Sequence, residues 1–578
     1  MWHLISVTTS KESSGASIGA TANTHPPPNR YPSLQFWTWS ETMNNNTLVL
    51  TYICDPFGIR TPIFCLNDGS EAGEVDFNTL IDTTGNILTF ELGILIDGLR
   101  RLNASELPSL LDLSDALRMR CGRPKDEVGE KPWNVWRQVA RTSSTDRVNS
   151  IESIFHSRTA WPDRPIILQE LRWLSFQIYK LWETVQQDLD NQDEIERFFQ
   201  IEAPVRRILN GRQLAGIKID QERLLGFIKK VEAEKYQAFL QIAPKIGRSP
   251  QSINYWNLGT CLENTELEHL SDIDDAGSMR DALKLSSNHS EFARSLVSYV
   301  DAVRDEATLK RCAGSMGTVH PFFHAHGTVT GRILVSEPSL QQLRSKYRAI
   351  FAPNPGCSLA YLDYAQFEPG VVAQLSGDPS IIDAYNKGDL YTALSTRLYG
   401  DQGHRKQCKQ IFLAYCYGMQ RETIVRLMLP ASATPQDIEK LSSGIEGFFS
   451  EFPGLEHLRR ASEDLLRHQG WISSAMGNRR YRGGSGVLSH KERRWALNQR
   501  IQATASLIFK EAVTKLTDAF GWHAFLLPMH DAALLEVPAT ARRDEFVATA
   551  TGIMENALAR RLPDIKPKVV CGDFSGEA

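Results

Sequence analysis

The stretch SLAYLDYAQFEPGVVAQLSGD, residues 358–378, decides how the rest of this chain is interpreted. Its first five residues, SLAYL, are an apolar run of β-favouring side chains, and Asp363 follows directly. Such a run predicts a short strand. A carboxylate is therefore expected at the end of that strand.

A second acidic position lies between two apolar runs, AFLLPM (524–529) and AALLEV (532–537), which only His530 and Asp531 separate. This pattern predicts a tight β-hairpin with an acidic tip, and Pro528 places its first strand at a sheet edge or a bulge. If Asp363 and Asp531 converge, they would hold two divalent metal ions about 4 Å apart for phosphoryl transfer, and oxygen ligands suit magnesium. Taken alone, Asp531 is more simply interpreted as a turn former and Asp363 as a strand terminator, and only their combination favours a metal site.

The segment HRKQCKQIFLAYCYG, residues 404–418, has helical character, with Gly418 as its predicted C-cap. Arg405, Lys409, Leu413 and Tyr417 recur every four residues and therefore line one side of the helix. Two cations followed by an aromatic ring suit a nucleoside triphosphate. An ordinary helix with a basic face is the alternative.

The order of these segments resembles that of family A DNA polymerases across residues 198–578. LDYAQFEPGVVAQLSGD is similar to the family's D-Y-S-Q-I-E-L-R motif with its L-S-G-D run. RKQCKQIFLAYCYG resembles R-x-x-x-K-x-x-x-F/Y-G-x-x-Y-G, and PMHDAALLEV resembles V-H-D-E. Four smaller blocks agree in the same order: GTVTGRILVSEPSLQQL, AMGNRRY, ALNQRIQATASLI and CGDFSGEA.

The resemblance implies a template-directed DNA polymerase for replication or repair, with two Mg²⁺ ions per active site and Mn²⁺ as an alternative ion. Asp363, Asp531 and the backbone carbonyl of Tyr364 would carry the metals, and Lys409 would donate a proton to the leaving pyrophosphate. Glu368 would exclude ribonucleotides by steric conflict with a 2′-hydroxyl. The implied partners are primer–template DNA, deoxynucleoside triphosphates and accessory proteins of unknown identity.

Two sets of contact residues follow from the same resemblance. The implied nucleotide-binding residues are Arg405, Lys409, Leu413, Tyr417, Glu368, Gln366 and Tyr391. The implied DNA-binding residues are Arg332, Gln342, Arg479, Arg480, Arg494, Asn498, Gln502 and His530.

Several positions depart from the family pattern. The departures are Gly370 for Arg, Leu413 for Phe or Tyr, Ala414 and Ala503 for Gly, Ala532 for Glu, and Tyr391 for a triphosphate-binding His. We expect polymerase activity with altered efficiency and fidelity. The alternatives are a catalytically weak or inactive DNA-binding scaffold with a polymerase fold and, less favoured, a polymerase specialised for RNA templates or ribonucleotides.

The implied fold class is α+β and multi-domain: a right-hand polymerase preceded by a degenerate RNase H-like α/β domain of the 3′–5′ exonuclease type. The predicted divisions are a flexible tail (1–34), the exonuclease-like domain (35–195, ending in the charged stretch DLDNQDEIE) and the polymerase domain (196–578). Within the last, the thumb covers about 215–320, the palm about 327–380 and 500–578, and the fingers about 381–499.

An active exonuclease would need a D-x-E pattern on a strand, and only faint echoes of it occur before residue 196. Glu41, Glu91 and Glu183 stand at the corresponding places in WSET, FEL and YKLWE. Isolated glutamates are more often surface residues, so the prediction is a domain without proofreading activity.

Composition is that of a globular protein, with 42% hydrophobic and 23% charged residues and a net charge of −4 that indicates no nucleic-acid partner by itself. One local patch differs, because between residues 477 and 500 a single acid, Glu492, opposes seven cations. They are Arg479, Arg480, Arg482, Lys491, Arg493, Arg494 and Arg500. The patch predicts either contact with a phosphate backbone or a solvated helix face.

No apolar run is long enough to span a bilayer, and the amino-terminal stretch lacks the pattern of a signal peptide. Nine cysteines without C-x-x-C spacing favour neither a disulfide framework nor a zinc site. The expected location is the cytoplasm, in association with the nucleoid of a bacterium or in a phage or plasmid context.

Overall fold

A computed structural model describes residues 47–575, except residues 56, 158–160, 247–252, 256, 274–275, 315–316 and 431. The predicted tail at 1–34 and the predicted exonuclease position Glu41 lie outside the described residues.

The first described region is an α/β layer structure. Its sheet, as far as the described residues show, has the strand order β3-β2-β1-β4-β5, with β1, β4 and β5 parallel and β2 and β3 antiparallel. The strands are β1 (Leu48–Ile53), β2 (Ile63–Asn67), β3 (Ala72–Val75), β4 (Asn86–Thr89) and β5 (Ser109–Asp112). The helices are α1 (Phe77–Asp82), α2 (Leu92–Arg101), α3 (Leu113–Cys121), α4 (Val135–Thr142), α5 (Thr145–Phe155), α6 (Arg164–Asn191), α7 (Ile195–Arg197) and α8 (Ala203–Ala215).

Two apolar segments of this region change secondary structure halfway. The run at 87–96 is strand β4 followed by helix α2, and the pattern at 107–119, which predicts a helix, begins with strand β5. In the second segment Asp112 accepts a hydrogen bond from the Ser114 backbone N–H and caps α3. Short apolar runs suit buried strands and helices equally, so the cap decides the boundary.

A long helical hairpin follows. Its two arms pack against each other along their length, and a short helix lies at the tip between them. The elements are β6 (Ile217–Lys218), α9 (Gln221–Ile242), α10 (Ala276–Ser286), α11 (Glu291–Ala313) and β7 (Thr318–Val319).

A second sheet carries the carboxylates. Within the described residues its strand order is β13-β14-β10-β15, all antiparallel. The strands are β10 (Cys357–Tyr364), β13 (Phe525–Met529), β14 (Ala532–Pro538) and β15 (Val569–Gly572), after the small pair β8 (Phe322–His324) and β9 (Leu334–Ser336). The prediction for Pro528 is confirmed, because β13 is an edge strand with an irregular register.

Helices and one β-hairpin fill the chain between β10 and β13. The helices are α12 (Phe367–Ser376), α13 (Pro379–Lys387), α14 (Leu390–Tyr399), α15 (Arg405–Cys416), α16 (Arg421–Met428), α17 (Pro435–Phe449), α18 (Pro453–Gln469) and α19 (His490–Phe520), and α20 (Arg543–Arg561) follows β14. The hairpin is β11 (Trp471–Ser474) with β12 (Gly477–Tyr481). Tyr417 is the C-cap of α15, and the predicted cap Gly418 is the next residue, with φ of 79°.

Among the residues that the structure describes, no helix is both long and apolar enough to cross a membrane.

Candidate active site

The two predicted metal-binding carboxylates lie at one end of two neighbouring strands, Asp363 on β10 and Asp531 in the turn before β14. Asp363 on β10 pairs in register with Ala532 on β14, and Asp531 directly precedes Ala532. Opposed residues of antiparallel strands have Cα atoms about 4.5–5.5 Å apart. Burial and, after it, the negative charge of Asp531 raise the pKa of Asp363 to about 6. The sheet therefore brings two carboxylates together in a partly desolvated place.

The donor set at this place fits magnesium. Mg²⁺ in proteins is commonly held by one or two carboxylates, with water and substrate phosphates completing its coordination. In the described part of the chain no group of three or more His, Cys, Asp or Glu side chains could hold a metal ion by itself. The Tyr364 hydroxyl donates to the Met554 carbonyl at 2.7 Å.

Helix α15 directs its cations towards the carboxylates. Arg405 and Lys409 are both exposed, and the Lys409 ammonium is close enough to lower the pKa of Asp363. At the other end of the helix the Tyr417 hydroxyl donates a hydrogen bond to Glu368. The four-residue spacing thus lines cations and a ring along one side of the cleft.

The cations on α15 rest on a buried aromatic ring. Tyr391 on α14 is 3% exposed, and its ring centroid lies 5.3 Å from the Arg405 guanidinium carbon and 6.0 Å from the Lys409 ammonium. Asp389 caps α14 and accepts a 2.9 Å hydrogen bond from Arg405 Nε. The Tyr391 ring therefore packs beneath the two cations, and the cations themselves are exposed to solvent.

Glu368 lies in the first turn of α12 and is 7% exposed. Arg332 donates to its carboxylate at 2.5 Å, and Tyr417 donates to the other oxygen. Burial raises the pKa of the Glu368 carboxyl, and the charge of Asp531 raises it further. Nearby, Gln366 accepts a 3.0 Å hydrogen bond from the Leu390 backbone N–H, so its amide joins α12 to α14.

A polar stripe on α19 continues from the cleft. Arg494, Asn498 and Gln502 are four residues apart and share one side of the helix. Among the described residues, Oδ1 of Asn498 is buried without a hydrogen-bond partner. A Cβ on Gly418 would stand 2.8 Å from the Arg494 Cα, so glycine permits α15 to end against α19.

The tip of the helical hairpin reaches across to this stripe. Arg494 Nη1 donates to the Ser278 hydroxyl of α10 at 3.2 Å. The Asn288 amide donates to the Gln410 side chain of α15 at 3.2 Å. Arg494, a predicted DNA contact, is therefore engaged by another part of the chain in this conformation.

Arg479 and Arg480, two of the predicted DNA contacts, are paired with acids in the structure. Arg480 is 7% exposed, donates to Glu127 at 2.9 Å and lies 4.0 Å from the ring centroid of Trp495. Arg479 pairs with Asp193 at 2.6 Å. Both acids belong to the α/β region: Asp193 precedes Arg479 by 286 residues, and Glu127 precedes Arg480 by 353 residues. Because Asp193 and Glu127 lie outside residues 477–500, a count of charges within that segment leaves them out.

Other members of the same basic patch are also paired. Arg482 donates to Glu492 at 2.9 Å, and the Lys491 ammonium lies 2.8 Å from Asp126. Residues 477–491 thus dock on the α/β region.

Three residues near the carboxylates escaped the sequence-based predictions. Gln341 is buried and bonds to Val335, Ile333 and Pro528, whereas the predicted neighbour Gln342 is exposed. The Arg348 guanidinium lies close enough to lower the pKa of Asp363. Asp389 alone had a local signal, since an Asp three residues before Thr392 is an N-cap pattern.

The departure at Gly370 has a steric reason. A Cβ there would lie 3.0 Å from the Tyr385 hydroxyl oxygen and 3.3 Å from Ile565. A larger side chain there requires the Tyr385 and Ile565 side chains to shift by a few tenths of an ångström. Arg332 and His530, in contrast, lie beside the carboxylates, and His530 has a positive φ of 62° at the hairpin tip.

The other two glutamates that stand at exonuclease-like places, Glu91 and Glu183, belong to different elements of the α/β region. Glu91 precedes α2 with φ of 46° and accepts a 2.7 Å hydrogen bond from Trp136 Nε1. Glu183 is exposed on α6.

Comparison with known proteins points in one direction. Residues 256–572, more than half of the chain, match the model of DNA polymerase family A. The thermostable DNA polymerase I of Thermus thermophilus is 31% identical over 267 residues, covering 43% of this chain and 31% of that protein. DNA polymerase I of Bacillus subtilis is 26% identical over 465 residues, covering 74% of this chain and 51% of that protein. The chain spans about half the length of the curated relatives that it matches over most of its own residues.

Among solved structures, the fold is similar to the POL domain of Pol1 from M. smegmatis, which was solved in complex with DNA primer-template and dNTP. The TM-score is 0.67 at 19% identity, and the match covers 92% of this chain and 96% of that one. The fold similarity and the family match agree on the same region. This chain therefore belongs to DNA polymerase family A.

Proposed function

We propose that this chain is a template-directed DNA polymerase that adds deoxynucleotides to the 3′ end of a primer in replication or repair. The observation that carries the proposal is that Asp363 and Asp531 adjoin one another and face the exposed cations of α15. Carboxylates for metals beside cations for phosphates are what phosphoryl transfer requires.

Asp363, Asp531 and the Tyr364 carbonyl would hold two Mg²⁺ ions. Bound there, the ions supply charge stabilisation for the attacking and leaving oxygens of an in-line displacement. The primer 3′-hydroxyl attacks the α-phosphate of the incoming deoxynucleotide, and pyrophosphate leaves. The repulsion that raises the Asp363 pKa is the electrostatic reason why this carboxylate pair favours cations.

Arg405 and Lys409 bind the triphosphate from the α15 side. When the triphosphate binds, the planar guanidinium of Arg405 leaves the Asp389 carboxylate and donates its hydrogen bonds to phosphate oxygen instead. Lys409 lies nearer Asp363 and donates a proton to the departing pyrophosphate. Leu413 and Tyr417 then border the sugar and the nascent base pair.

Glu368 excludes ribonucleotides because its carboxylate is fixed. Arg332 and Tyr417 hold both of its oxygens, so it cannot swing away from a 2′-hydroxyl. Because the Glu368 side chain is buried, it has no solvent-exposed conformation to move into.

Primer–template DNA lies along the α19 stripe, with Arg332, His530 and Gln342 near the primer end. The unpartnered oxygen of Asn498 supports a ligand on this stripe, since buried polar atoms are normally paired. The contact between Arg494 and Ser278 must open before a duplex can enter.

The domain divisions expected from the sequence accompany this proposal. Residues 215–320 act as the thumb, 381–499 as the fingers, and the sheet regions between and after them as the palm. Residues 35–195 form an exonuclease-like domain without proofreading activity. The pairing of Arg480 with Glu127 supports a structural role for that domain.

Extension of a labelled primer on a DNA template, with magnesium and deoxynucleotides, tests the proposal. We expect extension by the wild type, loss of extension in Asp363→Ala and Asp531→Ala, and retention in the control Asp383→Ala, whose carboxylate is 59% exposed on α13. Chelation with EDTA should stop extension, and added Mg²⁺ should restore it. Tight binding of primer–template without extension would instead support the scaffold.

A further inference from the structure

The loop between β8 and β9 ends at Arg332, and we call residues 326–332 the Arg332 loop. Two hydrogen bonds fold it back on itself. The Gly327 backbone N–H donates to the Arg332 carbonyl at 2.9 Å, and the Arg332 backbone N–H donates to the Thr328 hydroxyl at 3.0 Å. From this loop the Arg332 guanidinium reaches the Glu368 carboxylate at 2.5 Å. A displacement of the loop therefore moves a group that fixes Glu368.

Two buried side-chain amides hold the Val329 carbonyl of the Arg332 loop. Gln499 on α19 and Asn478 on β12 are 0% and 1% exposed, and each donates to this carbonyl at 3.1 Å. Gln499 also donates to the backbone carbonyl of Asn478 at 3.1 Å, which joins the two residues. A carbonyl oxygen has two lone pairs and an amide nitrogen two hydrogens, so the Val329 oxygen and the Gln499 nitrogen are both fully used.

The backbone around these amides is adapted to the contact. Asn478 has a φ of 68°, a left-handed conformation that Asn and Gly adopt most readily. A Cβ on Gly331 would lie 3.2 Å from the Asn478 amide nitrogen, so the glycine lets that amide approach the loop. The Ser506 hydroxyl, also on α19, donates to the Gly331 carbonyl at 2.7 Å. Polar side chains of α19 and β12 thus converge on the residues just before Arg332.

A chain of contacts therefore runs from Gln499 through the Arg332 loop to Glu368. Each buried carbonyl that loses its donor becomes costly, and this cost keeps the loop in one conformation. Glu368 has Tyr417 as its second support, since the Tyr417 hydroxyl donates to its other carboxylate oxygen. The loop supplies one of the two hydrogen bonds that orient this carboxylate.

We propose that Gln499 and Asn478 are positioning residues for sugar selection: through the Arg332 loop they hold the Arg332 guanidinium where it fixes Glu368. The inference rests on the proposed function, in which a fixed Glu368 excludes the 2′-hydroxyl of a ribonucleotide. Neither amide touches the nucleotide in this role. Their loss should therefore change the choice between the two sugars, beyond any change in the rate of deoxynucleotide addition.

The test measures single-turnover primer extension with one deoxynucleotide and with the matching ribonucleotide. The ratio of the two kcat/KM values is the sugar selectivity. The variants are Gln499→Met, which removes the donors from an unbranched side chain, and Asn478→Gly, which tolerates the positive φ. Gln138→Met is the matched control, because Gln138 is 5% exposed on α4 and, like Gln499, has one amide atom without a partner among the described residues. Thermal melting verifies that each variant is folded.

A double variant shows whether Gln499 acts through Glu368. Glu368→Ala removes the carboxylate and should itself lower the sugar selectivity. If Gln499 acts through that carboxylate, Gln499→Met should change the selectivity of Glu368→Ala no further, because the effects of coupled residues are not additive.

We expect Gln499→Met and Asn478→Gly each to lower the sugar selectivity roughly 10-fold, and Gln138→Met to keep that of the wild type. Folded variants with wild-type selectivity would overturn the proposal. An equal loss in Gln138→Met, or a full additional loss in the Glu368→Ala background, would also overturn it.

Two further outcomes are separate from these. If Gln499→Met does not fold, Asn478→Gly decides the question by the same criteria. If the wild type extends no primer, or if Glu368→Ala keeps the wild-type selectivity, it is the proposed function that fails, in the first case at polymerisation and in the second at the role of Glu368.

Discussion

Two basic regions of this molecule look alike in the sequence and differ in the folded chain. On α15, Arg405 and Lys409 are exposed and lie over the Tyr391 ring. In the β11–β12 hairpin, Arg480 is 7% exposed and is paired with Glu127 of the α/β region. The α15 cations therefore remain available to an anionic ligand, while the hairpin cation joins two parts of the protein.

The physical reason for the difference is desolvation. A guanidinium removed from water needs a partner that compensates for the lost hydration, and Glu127 and the Trp495 ring supply it for Arg480. The α15 cations keep their hydration, so a triphosphate can replace water there at lower cost. Basic residues close in sequence thus indicate an anion site where they stay exposed to solvent, as Arg405 does although it pairs with Asp389, and not where they are buried against an acid from elsewhere in the chain.

The largest effect that separates the two regions should come from Lys409→Met. Loss of the proton donor should lower kcat for primer extension about 100- to 1,000-fold. The melting temperature should barely change, because Lys409 is exposed and surface substitutions usually shift stability by less than about 0.5 kcal/mol. Single-turnover extension measures the rate. Lys406→Met, at an exposed lysine three residues earlier on the same helix, is the control, and an equal loss in that variant would contradict the assignment.

The hairpin should respond in the opposite manner. Arg480→Met leaves the largely buried Glu127 with Lys491, 3.4 Å away, as its remaining cation and should lower the stability of the protein by about 2 kcal/mol, while the KM for deoxynucleotides stays near that of the wild type. Thermal denaturation and steady-state extension measure the two quantities. The double variant Arg480→Met/Glu127→Leu should recover stability, and Arg460→Met, with a 74% exposed side chain, should show little change. Loss of DNA affinity without loss of stability would return Arg480 to the DNA-binding residues.

A smaller effect should come from the ring beneath the α15 cations. Tyr391→Leu removes cation–π contacts worth about 0.5–1 kcal/mol each and should raise the KM for deoxynucleotides about 3- to 10-fold, with kcat little changed. Tyr391→Phe keeps the ring and should behave like the wild type. If the KM of Tyr391→Phe rises as much as that of Tyr391→Leu, the Tyr391 hydroxyl itself contacts the nucleotide. The role of the ring as a support for the α15 cations would then be wrong.

The smallest effect should come from Lys491→Ala at the edge of the hairpin interface. Lys491 and Asp126 are 48% and 40% exposed, and such solvated pairs contribute less than about 1 kcal/mol. Thermal denaturation at low and high salt measures the difference, which should vanish in high salt because ions screen the pair. A loss of stability as large as that of Arg480→Met would show that solvent exposure does not explain why the two basic regions differ.

Local patterns were sufficient for the elements of the active site. The apolar run before Asp363 is β10, the runs around His530 and Asp531 are a hairpin, and residues 405–416 are a helix. The long helical hairpin was also predictable, because its apolar spacing extends over many turns. These features depend on neighbours within a few residues of each other.

Local sequence patterns did not predict contacts between residues that lie far apart along the chain. The pairing of Arg480 with Glu127 spans 353 residues, and that of Arg494 with Ser278 spans 216. The strand at Ser109–Asp112 was predicted as helix, because its pairing with β4 is not visible in its own residues.

The sequence by itself determined the family motifs, the identities of Asp363 and Asp531, and the helix that carries Arg405 and Lys409. Those follow from residue type and from spacing along the backbone, which are local properties. Only the tertiary structure decided which cations stay exposed, which acids cover the rest, and that Gln499 and Asn478 bond to the loop that carries Arg332. Burial and pairing set the free energy of a charge, and both depend on residues that folding brings together from distant parts of the chain.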